Sequence, residues 1–275
     1  MTERHPRLIH SRANPTYRWL SALAQDKRVR RQEGLTLLDG EHLIATAVDA
    51  GVTPRLLVAG PQAQGDGRFD RWLERCPGAE GLILSESLLR ALAPTQTPTG
   101  LLAVAAVPRP QDRPQGRPIR CAVLLEDVQD PGNLGAILRS AAAAGADATL
   151  LSPGCCEAFS PKALRGGQGA QYLLDVYEDT DLSAWLKTWP GAVHAAVLGG
   201  RCSLYDLDLT GRCAFVFGNE GAGLSAGLRA LAQPYTIPMP GRVESLNVAA
   251  AVAVTLFERV RQLAAAAGLT PARES

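Results

Sequence analysis

The sequence has no apolar stretch that reaches the roughly 18 uninterrupted residues of a membrane-spanning helix. Its first residues, MTERHPRLIHSR, are polar and basic where a secretory signal would have an apolar core. Both absences predict a cytoplasmic protein that has no membrane partner.

Cysteine is scarce, and its spacing suits neither metal binding nor a disulfide framework. The 275 residues include 6 cysteines without a CxxC pair, and the adjacent Cys155 and Cys156 do not form a zinc knuckle. We therefore expect buried or incidental thiols and no metal site. The sequence also lacks GxGxxG and GxxxxGK[ST], so a nucleotide-dependent oxidoreductase is a remote alternative.

The overall composition, with 46% apolar and 20% charged residues, is that of an ordinary soluble globular protein. The net charge of +1 is unevenly distributed, because Met1 to Arg31 contains eight Lys or Arg and only two acids. This stretch, which includes Tyr17 and Trp19, is typical of a surface that contacts phosphates. A solvated basic tail is the plain alternative.

A segment rich in proline and arginine, VPRPQDRPQGRPIR, divides the chain. Before it, alternating strand-like and helical patterns predict a small α/β module over residues 1–106. Residues 107–119 are expected to form a linker. Over residues 120–268, longer strands alternate with helices, which predicts a mostly parallel sheet covered on both faces. Its later strands are expected at Val193 to Leu198, Cys213 to Phe217 and Tyr235 to Ile237.

Ligands of parallel sheets bind beyond the carboxyl ends of the strands, where three loops stand out. In EDVQDPGNLGAILR, Asn133 can cap the following helix. In FVFGNEGAGLS, glycines around Asn219 and Glu220 allow the backbone to approach a ligand closely. In IPMPGRVESLNVA, Ser245 can cap a buried helix, in which Asn247 needs a ligand or the first loop's backbone as a partner. A plain helix cap and an ordinary glycine turn are the alternatives for the first two.

A fourth segment, FSPKALRGGQGAQ, is basic and rich in glycine. Lys162 and Arg165 precede Gly166, Gly167 and Gly169, which suggests a flexible lid that grips phosphate. A mobile surface loop without a role is the alternative.

Together these segments resemble the three signature motifs of the SpoU/TrmH family of SPOUT-type RNA ribose methyltransferases, in the family's order. DPGNLGAILR resembles the first motif, FGNEGAGLS the second and IPMPGRVESLNVA the third. The N-terminal part is similar to the family's substrate-binding module, so the resemblance covers nearly the whole chain. It implies an α/β fold: a C-terminal SPOUT domain with a parallel sheet and a deep trefoil knot, plus a small N-terminal α/β RNA-binding module.

The resemblance also implies an activity, a cofactor and an assembly. The reaction would be methylation of a ribose 2′-hydroxyl in structured RNA, with S-adenosyl-L-methionine as cofactor. The appended N-terminal module favours ribosomal over transfer RNA as the partner. The knotted domain would pair with a second copy as a homodimer. A non-catalytic RNA-binding relative is the alternative from another class.

Site residues are implied by their positions in the motifs. Catalytic and RNA-positioning positions of the family are matched by Asn133, Arg139, Glu220, Ser245 and Asn247. The cofactor pocket is matched by Leu198, Gly199, Phe217, Gly218, Asn219, Gly223, Ile237, Met239 and Leu246. The expected RNA contacts are Arg28, Arg30, Arg31, Lys162 and Arg165.

Accounts of the family give the position of Arg139 the role of base, but a guanidinium is effectively always protonated. We expect Arg139 to clamp a phosphate and to stabilise the developing alkoxide, while a phosphate oxygen or Glu220 accepts the proton. Three positions depart from the family's usual residues. Gly167 and Ala249 replace serines, and Asp39 replaces a glutamate. The departure at Gly167 leaves the RNA contacts of its segment in doubt.

Overall fold

The computed structural model describes residues 6–93, 99–109, 118–199 and 202–268. It divides into unit 1, Met1–Pro108 with Phe159–Leu173, and unit 2, Arg109–Ala158 with Leu174–Ser275. Residues 1–5 of the basic stretch and 110–117 of the expected linker lie outside the described residues. The domain limits expected from the sequence stay predictions. None of the helices in the described ranges has both the length and the apolar character that crossing a bilayer requires.

Unit 1 is built on a five-stranded sheet. Its strands, in the spatial order β1-β4-β3-β5-β2, are β1 (Arg7–Ile9), β2 (Leu35–Asp39), β3 (Leu56–Ala59), β4 (Glu80–Leu84) and β5 (Leu101–Ala106). Among these strands, β5 runs in the opposite direction to the other four and pairs antiparallel with both β3 and β2. The helices are α1 (Pro15–Gln25), α2 (Lys27–Glu33), α3 (Glu41–Asp49), α4 (Pro61–Gly65), α5 (Arg68–Arg75) and α6 (Glu86–Leu92).

Unit 2 is a six-stranded sheet in which every described pair of strands is parallel, as the sequence predicts. Its strands, in the order β11-β9-β10-β6-β7-β8, are β6 (Cys121–Leu125), β7 (Ala148–Leu151), β8 (Asp175–Tyr177), β9 (Ala192–Ala196), β10 (Cys213–Phe217) and β11 (Gln233–Tyr235). The remaining helices are α7 (Pro131–Ala143), α8 (Pro161–Gly167, within unit 1), α9 (Leu182–Thr188), α10 (Ala226–Arg229) and α11 (Val248–Ala266).

Strand β11 ends earlier than the sequence pattern indicates. The expected strand from Tyr235 to Ile237 stops at Tyr235, because Thr236 pairs instead with the connection from β9 to β10. Its N–H donates to the Cys202 carbonyl oxygen over 2.9 Å, and its own carbonyl accepts from the Leu204 N–H over 2.8 Å. The chain after β11 therefore lies against that connection. The trefoil knot implied by the family resemblance stays a prediction.

The fourth segment is not a mobile lid, and that expectation was wrong. Helix α8 and a 3-10 turn at Ala170–Tyr172 pack against β2 and α3 within unit 1. The Thr36 hydroxyl donates to the Phe159 carbonyl oxygen over 2.7 Å in a buried position. Gly169 has φ +84°, and an added Cβ there would lie 2.9 Å from Thr46. Gly169 is therefore required for close packing and does not indicate mobility of the segment.

All six cysteines are free thiols, and Cys76, Cys121, Cys155 and Cys213 are buried, as expected for buried or incidental thiols. Burial raises the pKa of Cys156 to about 12 and that of Cys121 to about 11. Both thiols therefore stay protonated at neutral pH, which does not suit a nucleophile. Within the described ranges, no group of His, Cys, Asp and Glu side chains could hold a metal ion.

Candidate active site

Three loops of unit 2 meet at the side chain of Asn133. Its Nδ2 donates to Glu220 Oε1 over 2.8 Å, and its Oδ1 accepts from Asn247 Nδ2 over 3.0 Å. The first two loops follow β6 and β10, which are neighbours in the parallel sheet, so their carboxyl ends lie side by side. A single carboxamide thus joins all three of the motifs that the sequence singled out.

Asn133 is available for these contacts because another residue caps helix α7. Asp130 is the N-cap, and its Oδ1 accepts from the Asn133 N–H over 2.8 Å, while Pro131 occupies the first helical position. The expected capping role of Asn133 was therefore wrong. Asp followed by Pro is a favourable helix start, and it leaves the Asn133 carboxamide free to reach the other loops.

The N-cap of α11 is Asn247, not Ser245 as the sequence suggested. Asn247 Oδ1 accepts from the N–H groups of Ala249 and Ala250 over 2.9 and 3.4 Å, which leaves Nδ2 to donate to Asn133. Asn247 is exposed rather than buried, and its partner is a side chain of the first loop rather than its backbone. The N-terminus of the long helix thereby fixes the third motif against the first.

Asn219 organises the second loop internally. Its Nδ2 donates to the Asp127 carbonyl oxygen over 2.8 Å, and its Oδ1 accepts from the N–H groups of Gly221 and Ala222 over 2.8 and 3.0 Å. Asp127 itself has φ 55°, a left-handed conformation that Asp tolerates better than most residues. These contacts occupy the Asn219 carboxamide, so only its remaining atoms can face a ligand.

The backbone of the same loop folds tightly on itself. Asn219 and Gly223 exchange N–H···O hydrogen bonds of 3.2 and 2.9 Å. A Cβ added to Gly218 would collide with the Gly223 backbone, so this position requires glycine. Glu220 lies at the tip of this loop, where the hydrogen bond from Asn133 reaches it.

The loops enclose a cavity of about 420 Å³, a size that suits a small-molecule ligand. Of the expected cofactor positions, the wall includes Leu198, Phe217, Gly218, Asn219, Gly223, Ile237, Met239 and Leu246. Gly199 is not among the lining residues. Glu220, Ser245 and Asn247 also line the cavity, so the hydrogen-bonded chain forms part of its wall.

Comparison with known families shows which family the chain belongs to. The model of the SpoU rRNA Methylase family matches residues 120–257, and that of the MRM3-like substrate binding domain matches residues 14–103. The chain belongs to the SpoU rRNA methylase family. It is 35% identical over 260 residues to an uncharacterized tRNA/rRNA methyltransferase of Synechocystis sp., covering 92% of this chain and 93% of that protein.

Two further SpoU relatives have more specific names. Over 236 residues the chain is 32% identical to the 23S rRNA (guanosine(2553)-2'-O)-methyltransferase RlmP of Bacillus subtilis, covering 84% of this chain and 90% of that protein. The crystal structure of the SpoU methyltransferase AviRb from Streptomyces viridochromogenes, in complex with AdoMet, has a TM-score of 0.79 at 28% identity. That match covers 90% of this chain and 98% of AviRb.

Arg139 stands apart from the hydrogen-bonded chain. It is exposed on α7, and its side chain has no hydrogen bond or ion pair with any described residue. It therefore remains available to an external anion. Because a guanidinium is effectively always protonated, Arg139 suits the binding of a phosphate better than the role of a base.

The expected RNA contacts differ in their surroundings. Arg30 is only 5% exposed, and its Nη1 donates to the Leu23 carbonyl oxygen over 2.7 Å at the end of α1. Arg165 pairs with Asp39 over 3.2 Å. Arg28, Arg31 and Lys162 are exposed. Burial argues against a phosphate contact for Arg30, whereas the exposed side chains remain candidates.

The departure at Gly167 has a packing reason. Gln171 is buried, and a Cβ added at Gly167 would lie 2.5 Å from its Oε1. The serine that SpoU proteins commonly have at this position would therefore displace the glutamine. Gly167 and Gln171 therefore pack against each other in the interior of unit 1.

Sequence reasoning missed several residues that shape the site. Glu126 Oε2 accepts from the Ser225 N–H over 2.7 Å, which anchors the helix α10 that follows the second loop. Asp127 fixes Asn219, and Arg229 lies on the cavity wall. The two acids that end CAVLLED were the available signal for Glu126 and Asp127. Arg229 has no motif around it.

Proposed function

We propose that this chain transfers a methyl group from S-adenosylmethionine to a ribose 2′-hydroxyl of structured ribosomal RNA. The observation that carries the proposal is the hydrogen-bonded chain Asn247–Asn133–Glu220, whose two ends, Asn247 and Glu220, line a ligand-sized cavity. Membership of the SpoU family and a relative named for this reaction on 23S rRNA support it.

The cavity fits the cofactor that the AviRb complex contains. Its volume of about 420 Å³ is adequate, its side chains are mainly apolar, and the glycines of the second loop allow the backbone to lie close to a ligand. Phe217, Ile237, Met239 and Leu246 would hold the cofactor through apolar contacts, and Gly218 through its backbone. When bound, S-adenosylmethionine supplies a methyl carbon already activated by the attached sulfonium.

The residues of the chain then have to align the ribose hydroxyl and remove its proton. Glu220 is the carboxylate on the cavity wall, and Asn133 occupies only its Oε1. The other oxygen has no partner among the described residues and can accept the proton of the 2′-hydroxyl. Asn133 and Asn247 hold Glu220 in place, and such positioning can supply roughly 7–11 kcal/mol of a barrier.

Arg139 has the complementary role. Its unpaired guanidinium binds a phosphate next to the target ribose and stabilises negative charge that develops on the hydroxyl oxygen. The exposed basic residues Arg28, Arg31 and Lys162 bind the RNA backbone further away, and Arg165 does so only at the expense of its pair with Asp39. This activity places the chain where ribosomal RNA is processed, which in a bacterium is the cytoplasm.

A homodimer through unit 2 is part of the proposal. Helix α11 carries an apolar stripe at helical spacing, formed by Ala250, Val254 and Phe257. Ala250 is exposed, Val254 half-buried, and Phe257 48% exposed. The opposite face, which includes Val252 and Leu256, is buried. A second copy is the occupant we propose for this stripe, and the knot implied by the family would hold the same helix in place.

Labelled methyl transfer tests the activity and its position. A 2′-O-methylated ribose cannot attack the adjacent phosphodiester, so label at this position survives alkali in dinucleotides. We expect alkali-stable label in ribosomal RNA incubated with the chain and methyl-labelled S-adenosylmethionine. Label in transfer RNA alone would show that the substrate is transfer RNA and not ribosomal RNA. Label in mononucleotides released by alkali would contradict methylation of the ribose. No label in either RNA would favour a non-catalytic RNA-binding relative.

A further inference from the structure

Among the described residues that line the cavity, Arg229 is the one with a positively charged side chain. It is exposed, and its guanidinium has no hydrogen bond or ion pair with any described residue. It belongs to none of the three motifs. An unpaired guanidinium on the wall of a ligand cavity is available to an anionic group of the ligand.

The backbone around Arg229 is firmly held. Helix α10 begins at the cap Ser225, whose Oγ accepts from the Leu228 N–H over 3.4 Å and whose N–H donates to Glu126 over 2.7 Å. Leu224 and Leu228 are buried in the core of unit 2. The Arg229 N–H completes the turn by donating to the Ser225 carbonyl oxygen over 3.1 Å. The guanidinium therefore extends from a fixed base.

The guanidinium lies beside the glycine-rich second loop. A Cβ built on Gly223 would be 3.7 Å from Arg229 Nη2, and Gly223 itself is fixed by its backbone pair with Asn219. Glu220 is the one acidic side chain among the described lining residues, and Asn133 holds it. Among the described lining residues there is thus one carboxylate, which is hydrogen-bonded to the first motif, and one guanidinium, which has no hydrogen bond to any of the three motifs.

The cofactor has one anionic group. S-adenosylmethionine carries positive charge on its sulfonium and ammonium groups and negative charge on the α-carboxylate of its methionine part. A guanidinium matches a carboxylate in charge and can bind it through two parallel hydrogen bonds. We propose that Arg229 binds the α-carboxylate of S-adenosylmethionine. This inference rests on the proposed function, because it assumes that this cofactor enters the cavity.

Decarboxylated S-adenosylmethionine provides the test, since it keeps the purine and the sulfonium and lacks only the carboxylate. Titration calorimetry would measure the affinities of both ligands for the wild type, Arg229→Gln and Arg229→Lys. Arg212→Gln is the matched control, because Arg212 is exposed on unit 2 and is not a lining residue. Thermal melting would check that each variant folds.

We expect Arg229→Gln to weaken S-adenosylmethionine binding about tenfold and to leave the decarboxylated ligand unchanged, as loss of an exposed charge-assisted hydrogen bond should. Arg229→Lys should lose less, and Arg212→Gln nothing. An equal loss for both ligands would overturn the inference, and so would no loss for either. Unchanged cofactor affinity with a raised KM for RNA would reassign Arg229 to a phosphate. If the wild type bound neither ligand, the proposed function would fail together with this inference. If the wild type bound S-adenosylmethionine and Arg229→Gln bound it equally well, only the role of Arg229 would be wrong.

Discussion

Asn133 and Glu220, 87 positions apart in the sequence, are joined by a hydrogen bond of 2.8 Å from Nδ2 to Oε1. The same Asn133 carboxamide accepts from Asn247 over 3.0 Å. The carboxamide therefore couples the orientation of the proposed proton acceptor to the N-terminus of α11. The three motifs form one arrangement in which each depends on the others.

Asn133→Ala removes both hydrogen bonds at once. We expect kcat for methyl transfer to fall on the order of a hundredfold, because an unpositioned base loses most of its advantage. Cofactor affinity should change little, since Asn133 is not among the lining residues of the cavity. Single-turnover kinetics and calorimetry measure the two quantities. A variant that lost cofactor binding and kept the chemical step would show that Asn133 supports the pocket instead.

Gly167→Ser tests the packing account of the unusual glycine. The added side chain meets the buried Gln171 at 2.5 Å, so we expect a loss of stability of about 1–3 kcal/mol from overpacking. Chemical denaturation measures it, and Gly167→Ser with Gln171→Ala should recover part of the loss. Gly65→Ser is the control within unit 1, because an added Cβ there meets nothing within 4 Å. Equal effects at both glycines would contradict the account.

The sequence was sufficient for the parallel sheet, because fully buried strands such as Cys213–Phe217 are continuous apolar runs, and the structure has that strand with the expected limits. It was not sufficient for the caps. Asp130 and Asn133 both suit an N-cap, and only the backbone geometry decides between them. Ser245 and Asn247 present the same ambiguity at α11, and there too the cap was assigned to the wrong residue.

The segment Phe159–Leu173 was harder to predict for a different reason. Its glycines indicate a loop locally, whereas its helix packs against β2 and its 3-10 turn against α3, both of which come much earlier in the sequence. Contacts of this kind override local preference. Arg229 could not be identified either, since an isolated arginine on a four-residue helix has no local pattern that indicates a cavity.

The burial of His194 leads to a prediction of how the stability of the protein depends on pH. His194 is buried in β9 against Phe215 and Tyr235, and neither ring nitrogen has a hydrogen-bond partner among the described residues. Burial lowers its pKa from the ordinary value of 6.5. The unfolded chain therefore binds a proton more readily than the native state. Stability is fully present above pH 6.5 and is lost as the pH falls below it, toward the depressed native pKa.

His194→Leu should remove this part of the acid sensitivity. It should not destabilise the protein at pH 8 as a typical core substitution would, because it also removes two buried nitrogens that lack hydrogen-bond partners among the described residues. Denaturation midpoints at pH 8 and pH 5.5 measure the difference between the variants. His10→Asn, at an exposed position, serves as the control and should follow the wild type. An unchanged pH profile in His194→Leu would assign the sensitivity to other groups.

Phe257→Asp tests the proposed homodimer. A charge in place of the largest and most exposed aromatic side chain of the stripe formed by Ala250, Val254 and Phe257 should prevent apolar association while leaving the buried face of α11 intact. Analytical ultracentrifugation should detect a dimer for the wild type and a monomer of 29.1 kDa for the variant. Leu8→Asp, at an exposed apolar position of unit 1, should remain dimeric. A monomeric wild type would refute the assembly.

In the proposed reaction, Glu220, held by Asn133, removes the proton of the ribose hydroxyl. The most direct measurement is the single-turnover rate of methyl transfer to ribosomal RNA by Glu220→Gln, at saturating S-adenosylmethionine, alongside Arg139→Lys and the exposed control Glu244→Gln. We expect Glu220→Gln to bind the cofactor normally and to lose turnover, Arg139→Lys mainly to raise the KM for RNA, and Glu244→Gln to behave as the wild type. Near-normal turnover by Glu220→Gln would contradict this role of Glu220.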